Sequence, residues 1–233
     1  MTERPCPDGW EQRERLYPVG SVPGGEAAIL RDALERIAGA IDGLDSASPS
    51  PSVQRAYEAF VLPHDADPWR RAGADQLSSC ALVGLSVMEC LGARASTIGI
   101  PYAPRLGRAV ADVVQAGRDL SAWVDTTKAD APLPSGPFVA LIGDNAAGGL
   151  EHVFVGLDGL DADGEVRVVE GGQASQHAAG YRIATGVYQV QTRAPGQTWA
   201  RRVSPRASAW RRLRGYVDLS ACTFDGVAML PRG

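Results

Sequence analysis

The chain has 233 residues, of which 45% are hydrophobic, and carries a formal net charge of -4 at pH 7. This length can bury a substantial core, and this composition excludes a disordered chain and gives no general reason to expect a nucleic-acid partner. The polar N-terminus predicts no signal peptide, and the lack of any run of about 18 apolar residues predicts no membrane span. We therefore expect a chain that is cytoplasmic when synthesised.

The first part of the chain has a helical pattern. In residues 25–42 the apolar side chains recur at helical spacing; they are Ile29, Leu30, Leu34, Ile37 and Ile41. Residues 46–52 contain two prolines and four serines, a composition that cannot sustain a helix and indicates a linker. The predicted organisation is an N-terminal helical extension and linker over 1–52, followed by the main domain over 53–233.

Further helices are predicted before the sequence pattern changes from helices to strands. The first covers 53–62 and the last covers 105–124. Between them, Ser78 or Ser79 caps a helix that carries Cys80. From Pro134 onward, short apolar runs alternate with turns; the predicted strands are 136–143, 151–157, 165–170, 181–183, 186–191 and 214–219. Helices followed by a meandering antiparallel sheet indicate an α+β domain.

One cysteine has a position that suits a nucleophile. Cys80 follows two serines and opens an apolar helix, and a helix N-terminus stabilises a thiolate. Downstream, His152 lies in one predicted strand and Glu170 in the next. Cysteine, histidine and carboxylate are what a thiol nucleophile, its base and the group that orients the base require.

Two glutamines could assist these residues. Gln173 follows Glu170 in a turn and is the alternative orienting residue. Gln76 lies four residues before Cys80 and could complete an oxyanion hole with the backbone N–H of Cys80. The other cysteines, Cys6, Cys90 and Cys222, form no Cys-x-x-Cys pair and no cluster with histidine, so no metal site is predicted.

Structural explanations of the same residues stay open. Cys80 could be a small buried hydrophobe, which is the commonest fate of a lone cysteine. His152 could be a core or surface strand residue. Glu170 could pair with an arginine at the surface. The three residues in one chain order favour the catalytic interpretation.

The motifs together resemble the papain-like cell-wall hydrolases of the NlpC and CHAP type. Ser79-Cys80-Ala-Leu-Val-Gly is similar to their cysteine motif, Gly149-Leu-Glu-His152-Val-Phe-Val-Gly to their histidine strand, and Val169-Glu170-Gly-Gly-Gln173 to their third strand. The Asp-Cys-Ser-Gly form common in NlpC proteins is absent. The resemblance covers roughly residues 53–220 and implies a papain-like α+β fold in which the cysteine helix packs on an antiparallel sheet.

The resemblance also implies an activity. It is hydrolysis of an amide bond in peptidoglycan peptides, as an amidase or an endopeptidase, through an acyl-enzyme and without cofactor or metal. A cell-wall substrate would require delivery by a non-classical, phage or contact-dependent route. Two alternatives stay open: a non-catalytic assembly domain of the same fold, and an acyltransferase or deamidase that acts on protein.

A run of arginines near the C-terminus is the other notable feature. Seven arginines and two tryptophans, with no acidic residue, lie between Arg193 and Arg214. This segment could contact an anionic polymer such as a cell-wall glycan with teichoic acid, or nucleic acid, although the chain contains no nucleic-acid motif. We favour a long hairpin whose aromatic residues anchor one face and whose charges are solvated.

Overall fold

The computed structural model describes residues 6–17, 25–61, 79–95, 98, 109–143, 151–175, 177 and 180–232. Four α-helices occur in this part of the chain, namely α1 (Gly25–Ile41), α2 (Pro51–Val61), α3 (Ser79–Cys90) and α4 (Ala109–Asp119). The strands are β1 (Trp10–Arg13), β2 (Trp123–Val124), β3 (Phe138–Ile142), β4 (His152–Gly156), β5 (Glu165–Ala174), β6 (Tyr181–Ala194), β7 (Gln197–Ser204), β8 (Arg211–Asp218) and β9 (Ala228–Pro231).

Six strands close into an antiparallel barrel. Their order is β8-β3-β4-β5-β6-β7, and β7 pairs back onto β8, with Trp199 opposite Arg212 and Ala200 opposite Arg211. The short strand β2 adds to the outside of this ring by pairing with β8. The connection between β4 and β5 turns at Gly164, whose φ of +74° is a conformation that glycine adopts without strain.

The barrel interior is filled by its own side chains. One buried cluster holds Phe138, Ala140, Ile142, Phe154, Val166, Val168, Tyr188, Val190, Ala200, Leu213 and Tyr216. The rings of Phe154 and Tyr188 stack with centroids 4.2 Å apart, and Phe138 meets Phe154 edge-on at 5.9 Å. Aromatic pairs of this kind add packing energy beyond the area that they bury.

The prediction of a papain-like α+β fold is therefore wrong. The described chain is mostly β, and its antiparallel sheet closes on itself, whereas a papain-like domain packs its helix on an antiparallel sheet. The physical reason lies in the arginine-rich segment. A hairpin was expected in this segment, but its strand over residues 197–204 also pairs with β8 and so joins β6 to β8, which was not expected.

The helices pack on the outside of the barrel. Alternate residues of the strands, such as Val139, Val153, Val155 and Val169, point outward into a second core that they share with the helices. Helix α3 lies against β4 and β5 in this layer. It approaches closely at Gly84, where an added Cβ would lie 3.0 Å from methyl groups of both Val139 and Val153.

The N-terminal residues belong to the same outer core. Leu30, Leu34, Ile37 and Ile41 of α1 are buried in it. Strand β1 pairs with the C-terminal strand β9, and Arg36 donates a hydrogen bond to the carbonyl of Pro231. Residues 42–50 connect α1 to α2, and the division of the chain after residue 52 stays a prediction.

None of the helices in the described ranges combines the length and the apolar character that crossing a bilayer requires.

The close approach at Gly84 predicts the effect of one methyl group. Gly84→Ala should lower the free energy of unfolding by about 1–3 kcal/mol, because the new Cβ forces apart a well-packed helix and barrel. Gly39→Ala in α1 is the matched control, since no atom beyond its own stretch of helix backbone lies within 4 Å of its added Cβ. That change should raise the free energy by up to about 1 kcal/mol through helix propensity. Urea denaturation of both variants measures these changes. Equal changes in the free energy of unfolding would contradict the close packing of α3 on the barrel at Gly84.

Candidate functional site

The thiol of Cys80 lies at the start of α3. Cys80 is the second residue of this helix and is buried. The rest of the helix is apolar on nearly all sides, because it lies between the barrel and the helices α2 and α4. This packing holds the N-terminal end of the helix against the start of β4, where Cys80 shares a side-chain hydrogen bond with His152.

His152 lies at one end of the barrel. It is the first residue of β4, and strand alternation puts it on the same side as Phe154, which fills the interior. Its Nε2 lies 2.5 Å from Oε2 of Glu170. Because Nε2 is engaged by Glu170, Nδ1 is the ring nitrogen left to face the thiol of Cys80.

Glu170 is the most enclosed member of the site. It follows Val166 and Val168 along the interior side of β5, and its side chain has no exposure to solvent. The hydroxyl of Tyr188 on β6 donates to Oε2 at 2.9 Å. The guanidinium of Arg202 on β7 forms an ion pair with Oε1 at 3.2 Å. The carboxylate is thus surrounded by partners from three other strands.

These contacts set the protonation of the imidazole. Burial lowers the pKa of His152, but the hydrogen bonds to Cys80 and Glu170 and the negative charges of both partners outweigh it and raise the pKa to about 9. His152 is therefore an imidazolium at neutral pH. Burial and the charge of Glu170 raise the pKa of Tyr188, so its hydroxyl stays a neutral donor.

Gln173 contacts Arg202, the ion-pair partner of Glu170. The amide oxygen of Gln173 accepts a hydrogen bond of 2.6 Å from Nη1 of Arg202. The pairing register of β5 with β6 shifts between Glu170 and Gln173. Gln76 and Ser78 lie outside the described residues, and Ser79, the other serine that was expected to cap α3, is the first residue of that helix.

Tyr188 and Arg202 were not found by the sequence analysis. A signal for them exists in strand alternation. Tyr188 lies two residues from Val190, and Arg202 two residues from Ala200, and both of those neighbours fill the barrel interior. Using this signal requires knowing that residues 197–204 form a strand.

The other cysteines differ from Cys80 in their surroundings. Cys90 is fully buried at the end of α3. Burial and the neighbouring charge of Asp218 raise the pKa of Cys222 to about 12, so its thiol stays protonated. In the described part of the chain, no group of three or more histidine, cysteine or acidic side chains could hold a metal ion.

Arg193 and Arg201 of the run lie on the outside of the hairpin β6–β7, and Arg212 of β8 lies against the ring of Trp199 on the same side. The guanidinium of Arg193 lies over the rings of both Trp199 and Trp210, at 5.2 and 4.8 Å from their centroids. Arg201 lies 4.6 Å from the centroid of Trp210. The tryptophans thus anchor these cations, and the contact with an anionic polymer stays a prediction.

No protein-family model, no curated protein and no solved structure gives a significant match to the chain. Interpretation of the site therefore depends on its own geometry.

The geometry predicts that Cys80 reacts before the other buried thiols. Brief alkylation with iodoacetamide at neutral pH should label Cys80 ahead of Cys90 and Cys222, because the imidazolium of His152 and the helix start favour the thiolate. Mass spectrometry of the digested protein measures the labelling. His152→Gln should slow the reaction of Cys80 and leave the other two unchanged. Preferential labelling of Cys90 or Cys222 would contradict the assignment.

Proposed function

We propose that the protein is a cysteine-dependent hydrolase of amide bonds, with Cys80 as nucleophile, His152 as acid and base, and Glu170 as the group that orients the imidazole. The observation that carries the proposal is the row of contacts from Cys80 through His152 to the buried carboxylate of Glu170. A surface histidine or a packing cysteine would not need an enclosed carboxylate partner.

The first half of the reaction forms an acyl-enzyme. The thiolate of Cys80 attacks the carbonyl carbon of the amide, and a C–S bond forms as the carbonyl oxygen takes up negative charge. The imidazolium of His152 gives its proton to the amine nitrogen as the C–N bond breaks. The amine leaves, and a thioester on Cys80 remains.

The second half restores the enzyme. His152, now neutral, takes a proton from a water molecule that attacks the thioester, and the C–S bond breaks. The products are the carboxylic acid and the thiolate with its imidazolium. Throughout, Glu170 holds the ring in one tautomer and stabilises its positive charge, and Tyr188 fixes the carboxylate oxygen that accepts from Nε2.

The oxyanion that develops needs donors near the start of α3. The backbone N–H of Cys80 belongs to the first turn, whose amides have no partner within the helix. It is the first donor that we assign, and the side-chain amide of Gln76 is the second candidate.

The substrate class that we propose is peptidoglycan peptide. It is supported by the similarity of the cysteine, histidine and third-strand motifs to those of NlpC and CHAP cell-wall hydrolases. Both an amidase and an endopeptidase fit the same chemistry, so purified sacculi should be the first substrate and analysis of the released fragments should identify the bond.

Substitutions separate the three roles. With sacculi as substrate, Cys80→Ala should abolish release of fragments, because no other group replaces the thiolate. His152→Ala should lower kcat/KM about 100-fold or more, since the acid and base are lost. Glu170→Gln should be milder than His152→Ala, because an amide can still accept a hydrogen bond from the ring.

The controls decide between this proposal and its alternatives. Each variant should keep the circular dichroism spectrum of the wild type. Full activity of Cys80→Ala would contradict the proposal. Transfer of an acyl group to added amines, with no hydrolysis of sacculi, would indicate an acyltransferase, and an inert Cys80 in the folded wild type would indicate a non-catalytic domain.

The raised pKa of His152 predicts the alkaline side of the pH profile. The leaving amine needs the proton of the imidazolium, so kcat should fall as the pH rises through about 9, where His152 loses that proton. An ordinary histidine acid would lose activity from about pH 6.5 upward. Initial rates measured from pH 6 to 10 distinguish the two.

A further inference from the structure

Arg202 differs from its neighbour Arg201 in the direction of its side chain. Arg201 points outward, to Gln189 and the ring of Trp210. Arg202, the next residue of β7, alternates with Ala200 toward the barrel interior, and only 11% of its side chain is exposed. A guanidinium at the end of an apolar interior requires a compensating charge.

The guanidinium is held in place from several sides. Nη1 donates to the amide oxygen of Gln173 at 2.6 Å, and Nε donates to the carbonyl of Ser204 at 3.1 Å. Toward Glu170 the contact is a charge contact, since Nε lies 3.2 Å from Oε1 but that oxygen receives no hydrogen bond from the residues that the structure describes. Arg202 therefore acts on Glu170 through its charge.

Counting charges shows what this cation does for the thiol. The row Cys80, His152, Glu170 and Arg202 carries alternating charges as thiolate, imidazolium, carboxylate and guanidinium, which sum to zero. If Arg202 were neutral, the same enclosed site would be neutral only with Cys80 as a thiol, because the imidazolium would be needed to balance Glu170. Net charge in an enclosed site is costly, so the thiol would keep its proton.

We propose that Arg202 is a positioning residue whose charge balances buried Glu170, which leaves the imidazolium of His152 free to balance the thiolate of Cys80. This inference rests on the proposed function of Cys80 as nucleophile. It gives a role in the site to one residue of the arginine run and assigns Gln173 the task of holding that residue.

The charged and titratable groups around Glu170 come from each neighbouring element. Cys80 of α3 and His152 of β4 lie on one side, Tyr188 of β6 donates to the carboxylate, and Arg202 of β7 lies on the other side. The charge of Arg211 on β8 acts on Tyr188. Of these two arginines, Arg202 is the one that forms an ion pair with the carboxylate of Glu170.

The test is a titration of the Cys80 thiolate in the full-length protein. The ultraviolet absorbance of the thiolate is followed against pH, with the same protein carrying Cys80→Ser subtracted in each background. Arg202→Gln should raise the midpoint by about one pH unit or more, because a nearby positive charge is lost. Arg202→Lys keeps the positive charge, so its midpoint should lie close to that of the wild type. Arg201→Gln, which removes the neighbouring outward arginine, should match the wild type.

Each outcome decides the inference. Equal midpoints for Arg202→Gln and Arg201→Gln, with a wild-type thiolate present at neutral pH, would overturn the role of Arg202 and leave the proposed function intact. A wild-type Cys80 that titrates as a free thiol would overturn both. If Arg202→Gln does not fold, Gln173→Ala releases one hydrogen bond of the guanidinium and should raise the midpoint by less, in the same direction; no shift would contradict the inference.

Discussion

The carboxylate of Glu170 is buried without exposure at the end of an apolar barrel, and this constraint organises the site. Moving an isolated carboxylate out of water is costly unless cations and donors replace its hydration. The three partners that do so, His152, Tyr188 and Arg202, come from three different strands. They can meet at one carboxylate only because the sheet curls into a ring that brings β7 toward the same interior as β4 and β5. The buried carboxylate therefore depends on closure of the barrel, because closure brings its three partners together.

The position of the thiol depends on a second, apolar contact. Helix α3 lies on the outer face of the barrel, and the absence of a side chain at Gly84 lets the helix approach Val139 and Val153. This packing presents the first turn of the helix to His152. The charged side chains come from the interior face of the barrel, and the helix packs on its outer face. The contacts from Cys80 through His152 to Glu170 connect the two faces at the end of the barrel.

Local patterns predicted the helix and the two strands that carry Cys80, His152 and Glu170. Serines before an apolar segment indicated a helix that begins near Cys80, and alternating apolar residues indicated the strands of His152 and Glu170. The closed barrel was not predictable by the same means. Closure requires Trp199 and Ala200 to pair with Arg212 and Arg211, and residues 197–204 are polar and arginine-rich, so they lack the apolar alternation by which the other strands were found. A hairpin was expected here, but its bounds and its pairing with β8 were not, which led to the wrong fold class and left Arg202 unidentified. The pairing of β1 with β9 joins the two ends of the chain and has no local signal.

The central claim is that His152 is an imidazolium between two negative partners. Nitrogen NMR of the histidine side chains tests this most directly, with His152→Gln to assign the signal. The account predicts that both ring nitrogens of His152 are protonated at pH 7 and that the ring titrates at about 9. A ring that is neutral at pH 7 and titrates near the ordinary histidine value of about 6.5 would contradict the account.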